Sequence, residues 1–271
     1  MNYSAQNLFP YLIVTFIYLA VAVDYWRIAK VPENTQLKLH SLMIALGLLV
    51  HAWLLHHSIF SAGFNLGFYQ SISAILWLTV LIYWVTDRKY DLHSLQAFVL
   101  PPAALFALLP AFSVSNHYLP EAENRLFIAH IWIAMIAYSL FTFAALHALL
   151  MAIAERSLHH KSTLIKLPSF PPLMVMESLL FKIIGFGFML LTVTLISGMW
   201  FSEDIFGQAL QFNHKTVFSI MSWLIYAGLL FGRLKYGWRG RKAIRWTLTG
   251  FALLLLAYIG SQFVLQILLG K

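Results

Sequence analysis

The chain has 271 residues, of which 61% are hydrophobic and only 10% charged, whereas soluble domains carry roughly 25% charged residues. Apolar runs recur from end to end and leave no stretch for an independent soluble domain. The formal net charge of +8 falls in short segments between those runs, where lipid headgroups and membrane insertion account for it and nucleic acid does not. With no cysteine, disulfides, thiolate metal sites and thiol redox chemistry are excluded as well.

A helix rising about 1.5 Å per residue needs about 20 residues to cross a hydrocarbon core about 30 Å thick. Runs of that length predict eight spans, near Leu8–Trp26, Leu39–Phe60, Leu66–Val85, Leu95–Ala111, Leu126–Ala154, Leu179–Trp200, His214–Gly232 and Ile244–Leu269. The expected fold is therefore an all-α, polytopic membrane helix bundle, a single integral membrane domain over residues 1–271. Met1 to Pro10 lack the basic segment and small-residue cleavage site of a secretory signal, so the first run is expected to stay as a membrane helix. In the fourth span Pro101 and Pro102 predict a kink or local unwinding. Leu167 to Glu177 reads as an irregular lead-in to the sixth span, with a surface-lying helix as an alternative.

Positive residues stay on the cytoplasmic side of a membrane. Arg27, Lys30 and Lys38, then Arg88 and Lys89, then Arg156, Lys161 and Lys166, and finally the dense run from Arg233 to Arg245 fall in alternate connections. The opposite connections hold Arg125 and Lys215 beside Glu121, Glu123, Glu203 and Asp204. This bias predicts both termini outside.

Ionisable groups at membrane depth need a partner, a wet cavity or a ligand, which directs attention to the eleven histidines. His40, His93, His159 and His160 fall at cytoplasmic ends and His117 in an outer connection, where interfacial solvation suffices; His56 and His57 lie near the outer end of the second span. His51 is different, lying about 16 Å inside that span from its cytoplasmic end. It is either a neutral imidazole hydrogen-bonded to a neighbouring helix or an axial ligand. His130 and His214 open the fifth and seventh spans at the outer interface, where two facing neutral imidazoles are able to hold a haem iron. His147 follows His130 by 17 residues, roughly 25 Å deeper and about 100° around the helix, so one haem cannot take both.

The stretch His51-Ala52-Trp53-Leu54-Leu55, then Asn65 to Ile72 and Trp77, resembles the second and third spans of the CcsA type of cytochrome c assembly proteins. Leu191 to Gly198 and Lys215 to Tyr226 fit the same pattern. His214-Lys215-Thr216, Gly237 to Trp246 and Leu256 to Gly260 are similar to the YpjD-like branch. The resemblance implies a bacterial inner-membrane protein that moves or holds haem b for attachment to apocytochromes outside. His51 matches the family's membrane-embedded haem histidine and His130 its outer histidine. Trp200 is the one tryptophan in Gly198 to Gly207, where haem-presenting members carry a tryptophan-rich motif, and is thereby implied on the cofactor side. Gly232 occupies the approximate place of the second embedded histidine, and the last span lacks the second outer one, which His214 replaces by position.

The expected function is haem handling with bis-histidine ligation by His130 and His214 at the outer face, through coordination and release without bond-making chemistry. The expected partners are membrane lipids, haem and another membrane protein. An accessory or regulatory protein that keeps the scaffold without haem transfer is the alternative, and a transporter or an enzyme of lipid or quinone chemistry a third.

Overall fold

The protein is described here from a computed structural model covering residues 8–27, 34–61, 63–112, 124–159, 171–206 and 214–260. Among these residues the fold is helical throughout, with eight α-helices: α1 (Phe9–Arg27), α2 (Asn34–Phe60), α3 (Phe68–Tyr90), α4 (Gln96–Ala107), α5 (Arg125–His159), α6 (Leu173–Phe206), α7 (His214–Tyr236) and α8 (Gly240–Leu255). Seven helical segments are long and apolar enough to cross a membrane. The eighth expected span begins as α8 and continues as a π turn, Leu256–Gly260; its remainder, like His117, His160 and Leu167 to Phe170, lies outside the described residues.

Expected and observed boundaries differ most before α6 and between α7 and α8. Leu173 to Glu177 is no irregular lead-in but the first turns of α6. The basic run from Arg233 to Arg245 is mostly helical too: Arg233 and Lys235 end α7, Arg241, Lys242 and Arg245 begin α8, and only Gly237 to Arg239 connect them. That connection is tight because Gly237 and Gly240 take φ of +63° and +52°, left-handed values at which a side chain would clash with its own backbone.

The prolines do not unwind α4. Pro101 and Pro102 sit inside a continuous α-helix, and the tightening appears at its ends, as 3-10 turns His93–Leu95 and Leu109–Phe112. At the C-terminal end the Leu108 amide bonds back to the Leu105 carbonyl, which removes the usual partner of the Ala104 carbonyl. The Thr15 hydroxyl on α1 donates to that carbonyl instead, at 3.0 Å, so a helix-end defect becomes an interhelical contact.

The helices pack as two compact units. The first holds α1 to α4 and the end of α5 from Ala154. Its side-chain donors reach backbone carbonyls of neighbouring helices: Trp77 Nε1 donates to Leu48 at 2.9 Å and Trp84 Nε1 to Ser41 at 3.0 Å. Lipid offers no competing partner for such donors, so these bonds define helix register. Gly47 lets α1 and α2 approach, since a Cβ there would lie 2.6 Å from the Tyr18 ring.

The second unit holds α5 up to Ile153 with α6, α7 and α8. Phe141 stacks on Tyr226 with centroids 4.0 Å apart, and Phe188 on Trp223, whose indole donates to Thr192 Oγ1 at 2.9 Å. Ser222 donates to the Gly250 carbonyl at 2.8 Å. Gly250 lies so close to Tyr226 that a Cβ would fall 2.8 Å from its ring, the small-residue contact by which membrane helices approach.

Candidate functional site: three membrane histidines and a buried carboxylate

His51 occupies the core of the first unit, 1% exposed. Both ring nitrogens face hydroxyls on other helices: Ser73 Oγ on α3 is 2.9 Å from Nε2, and the Tyr18 hydroxyl on α1 is 3.5 Å from Nδ1. Because α2 begins at Asn34, His51 is about 25 Å from its N-terminal end, deeper than the sequence suggests. A neutral imidazole offers one donor and one acceptor, and here both have a hydroxyl to meet.

His147 on α5 is fully enclosed. Its Nε2–H donates to the Met176 carbonyl on α6 at 2.9 Å, and the ring stacks on Phe143. Its Nδ1 has no partner among the described residues.

His130, five residues into α5, is half-buried, and α6 surrounds its ring. Ser197 Oγ stands 2.7 Å from Nδ1, Phe201 meets the ring edge-on at 5.6 Å between centroids, and Phe127 stacks one turn earlier at 6.4 Å. A Cβ on Gly198 would reach 3.4 Å from Cε1, so the glycine keeps that edge of the ring uncovered. Nε2 has no hydrogen bond among the described residues. The Lys215 ammonium is near enough for its charge to act on this imidazole, which puts the start of α7 beside the N-terminal end of α5.

His214 is the first residue of α7 and exposed. No hydrogen bond or ring contact joins it to His130 among the described residues, and it stands nearer its helix terminus than His130 does. Trp200 is 73% exposed and makes no ring contact with His130. Its neighbour Phe201 does so instead, because consecutive helical residues point about 100° apart. His40 and His93 are paired with carboxylates, Nε2 of His40 with Asp24 at 2.9 Å and Nδ1 of His93 with Asp87 at 3.0 Å.

Two features were not anticipated. Glu177, 9% exposed, accepts from Arg233 at 2.7 Å and forms an ion pair with Arg239 at 3.2 Å, and its second oxygen accepts from the Gly240 amide at 3.3 Å. One carboxylate thus ties α6 to the end of α7 and to the first amide of α8, where the helix dipole favours negative charge. A lone acid in an apolar run is the signal that asks for such a partner. The second feature is Gly232: a Cβ there would lie 2.4 Å from the Trp238 indole. The space beside Gly232 is filled by a tryptophan from the following turn.

These helices and histidines define a multi-pass α-helical membrane protein with an imidazole nitrogen available at one helix end. The profile of the family described as cytochrome C assembly protein matches residues 39–269, and the chain belongs to that family. It is 34% identical to the inner membrane protein YpjD of Escherichia coli K12 over 178 residues, a match covering 65% of this chain and 65% of that protein's length. It is 30% identical over 210 residues to a 28.8 kDa protein from a nifR3-like 5′ region of Azospirillum brasilense, covering 74% of this chain and 78% of the relative. The cytochrome c biogenesis protein CcsA of Prochlorococcus marinus AS9601 is 22% identical over 288 residues, covering 97% of this chain and 93% of its own.

Proposed function

We propose that the protein binds haem at the outer side of a bacterial cytoplasmic membrane, with His130 as an axial ligand and His214 as the second, and holds or releases it there. One observation carries this reading. Among His51, His130 and His147, His130 alone combines an accessible ring with a nitrogen that has no hydrogen bond, whereas His51 has hydroxyls at both nitrogens and the open nitrogen of His147 is sealed in. The residues around His130 suit a porphyrin: Phe127 and Phe201 offer apolar rings, Gly198 leaves an edge open, and Lys215, without an ion-pair partner among the described residues, offers positive charge to the acidic substituents of the macrocycle. Haem would supply the iron chemistry; the chain supplies orientation, charge and an apolar wall. Trp200 would act as an exposed flank of the same site. A deeper role for His51 requires that it give up the bond to Ser73. The outward placement of both termini follows the distribution of basic residues, and reporter fusions after Lys161 and after Gln208 should report cytoplasm and exterior respectively.

The test is an absorption spectrum of detergent-purified protein with haemin, oxidised and reduced. Bis-histidine ligation gives a six-coordinate low-spin spectrum that His130→Ala abolishes and His214→Ala converts to five-coordinate. Absence of a Soret band at saturating haemin, or a band indifferent to both substitutions, would overturn the reading. A second reading, an accessory or regulatory protein on the same scaffold, is favoured by the Trp238 indole over Gly232. Such a protein would remain colourless.

A further inference from the structure

We infer that Ser197 is the positioning residue for His130: it fixes the imidazole as the Nδ1–H tautomer and thereby turns an unprotonated Nε2 toward ligand. The role in binding rests on the haem reading above; the tautomer does not.

A serine hydroxyl has one proton and two lone pairs. In α6 that proton is already engaged, because Ser197 Oγ lies 2.6 Å from the Val193 carbonyl and 3.3 Å from that of Thr194. Two oxygens 2.6 Å apart with no hydrogen between them would repel, so the hydroxyl points back along its own helix, as serines in apolar helices commonly do. What it presents to His130, 2.7 Å away, is a lone pair. The ring nitrogen facing it must therefore donate. A neutral imidazole that carries its proton on Nδ1 has a bare lone pair on Nε2, the form an iron or other metal requires.

The rest of the cage holds the ring in that orientation. Phe201 lies one helical turn beyond Ser197 and meets the ring edge-on, while Phe127 on α5 stacks against it. Flipping the ring would put Cδ2, a carbon, in place of Nδ1 against the serine lone pair and forfeit the bond. The same chain shows the opposite arrangement at His147, where a carbonyl faces Nε2 and makes that nitrogen the donor. A backbone carbonyl can only accept; Ser197 is held to accepting by its bond to Val193.

Two measurements test the inference. The first uses the protein without haem, labelled with ¹⁵N-histidine, in which the chemical shifts of the His130 ring nitrogens report the tautomer directly. Wild type should show Nδ1 protonated. Ser197→Ala should move His130 toward a mixture with the Nε2–H form, and Ser197→Thr, whose hydroxyl also bonds back to the preceding turn, should restore it. The second is haemin titration followed by optical and EPR spectra. Loss of an orienting partner typically lowers metal affinity about 10- to 100-fold, so Ser197→Ala should weaken binding by that order and shift the low-spin EPR g values, with Ser197→Thr near wild type. Wild-type protein with Nε2 protonated, or a Ser197→Ala variant unchanged in both tautomer and affinity while His130→Ala loses haem, would overturn the assignment. Haem binding indifferent to His130→Ala sinks the ligand reading, and the NMR result then decides the tautomer alone.

Discussion

His51 and His130 both lie in apolar helices, and depth alone would favour His51 as the special residue. Their surroundings reverse that order. His51 bridges three helices through two hydroxyls, which is how a buried imidazole is made inert. His130 is bonded on one side only, by a hydroxyl whose own proton is engaged elsewhere. A polar group at membrane depth needs an explanation, but whether that explanation is packing or ligand binding depends on how many of its nitrogens have partners.

The substitution pair His130→Ala and His51→Ala breaks or sharpens this contrast with the largest effect. The first should abolish haemin binding while leaving thermal stability in detergent nearly unchanged. The second should leave the outer-site spectrum intact and destabilise the first unit by roughly 2–4 kcal/mol, since it leaves a cavity and orphans the Ser73 hydroxyl. Thermal unfolding and haemin titration on the same samples separate the two. Exchange of these outcomes would mean that the partners of His51 are not holding it.

The next effect concerns Gly232, where the resemblance implied the place of a second embedded histidine. Gly232→His would need the Trp238 indole to vacate its place, so it should cost about 1–3 kcal/mol or more by overpacking and restore no deeper haem signal. Gly232→His combined with Trp238→Ala relieves the clash. If only the double variant gains a second haem, the tryptophan is what closes that site.

Much of this was legible in the sequence because it depends on length and hydropathy. Seven of the eight expected spans coincide with helical segments and the eighth is helical as far as Gly260, and His51, His130 and His147 were singled out from their positions alone. Partners within the membrane were not legible. Ser197 is one of many hydroxyls in apolar runs, and nothing local distinguishes one that faces a histidine across a helix interface. Boundaries moved where charge was taken to end a helix: Arg233 still lies within α7 and pairs with Glu177 of a third helix, whose second oxygen takes the first amide of α8. His214 and Trp200 were placed at the right end of their helices, but position along a helix does not fix the direction of a side chain.

The smallest effects divide the basic run itself. Arg233 and Arg239 hold Glu177, whereas Lys235 and Arg245 are exposed without an ion pair among the described residues, and Lys242 rests over the Trp238 ring at 5.3 Å. Glu177→Gln should cost ~2–3 kcal/mol, below the ~3–5 typical of breaking a fully buried pair because Arg233 keeps 32% of its side chain exposed. That loss should be present in detergent and independent of lipid charge, because the interaction is internal. Replacing Lys235, Lys242 and Arg245 by Gln should do the converse. Each contributes about 1 kcal/mol only where an anionic leaflet faces it, so stability in neutral detergent should hardly move, while abundance and orientation in membranes should fall. Comparing thermal unfolding in detergent with that in vesicles containing phosphatidylglycerol or only phosphatidylcholine resolves the two groups. A Glu177→Gln loss that depends on anionic lipid would place the carboxylate at the headgroup surface instead of between helices, and the clamp would no longer explain why α8 begins at Gly240.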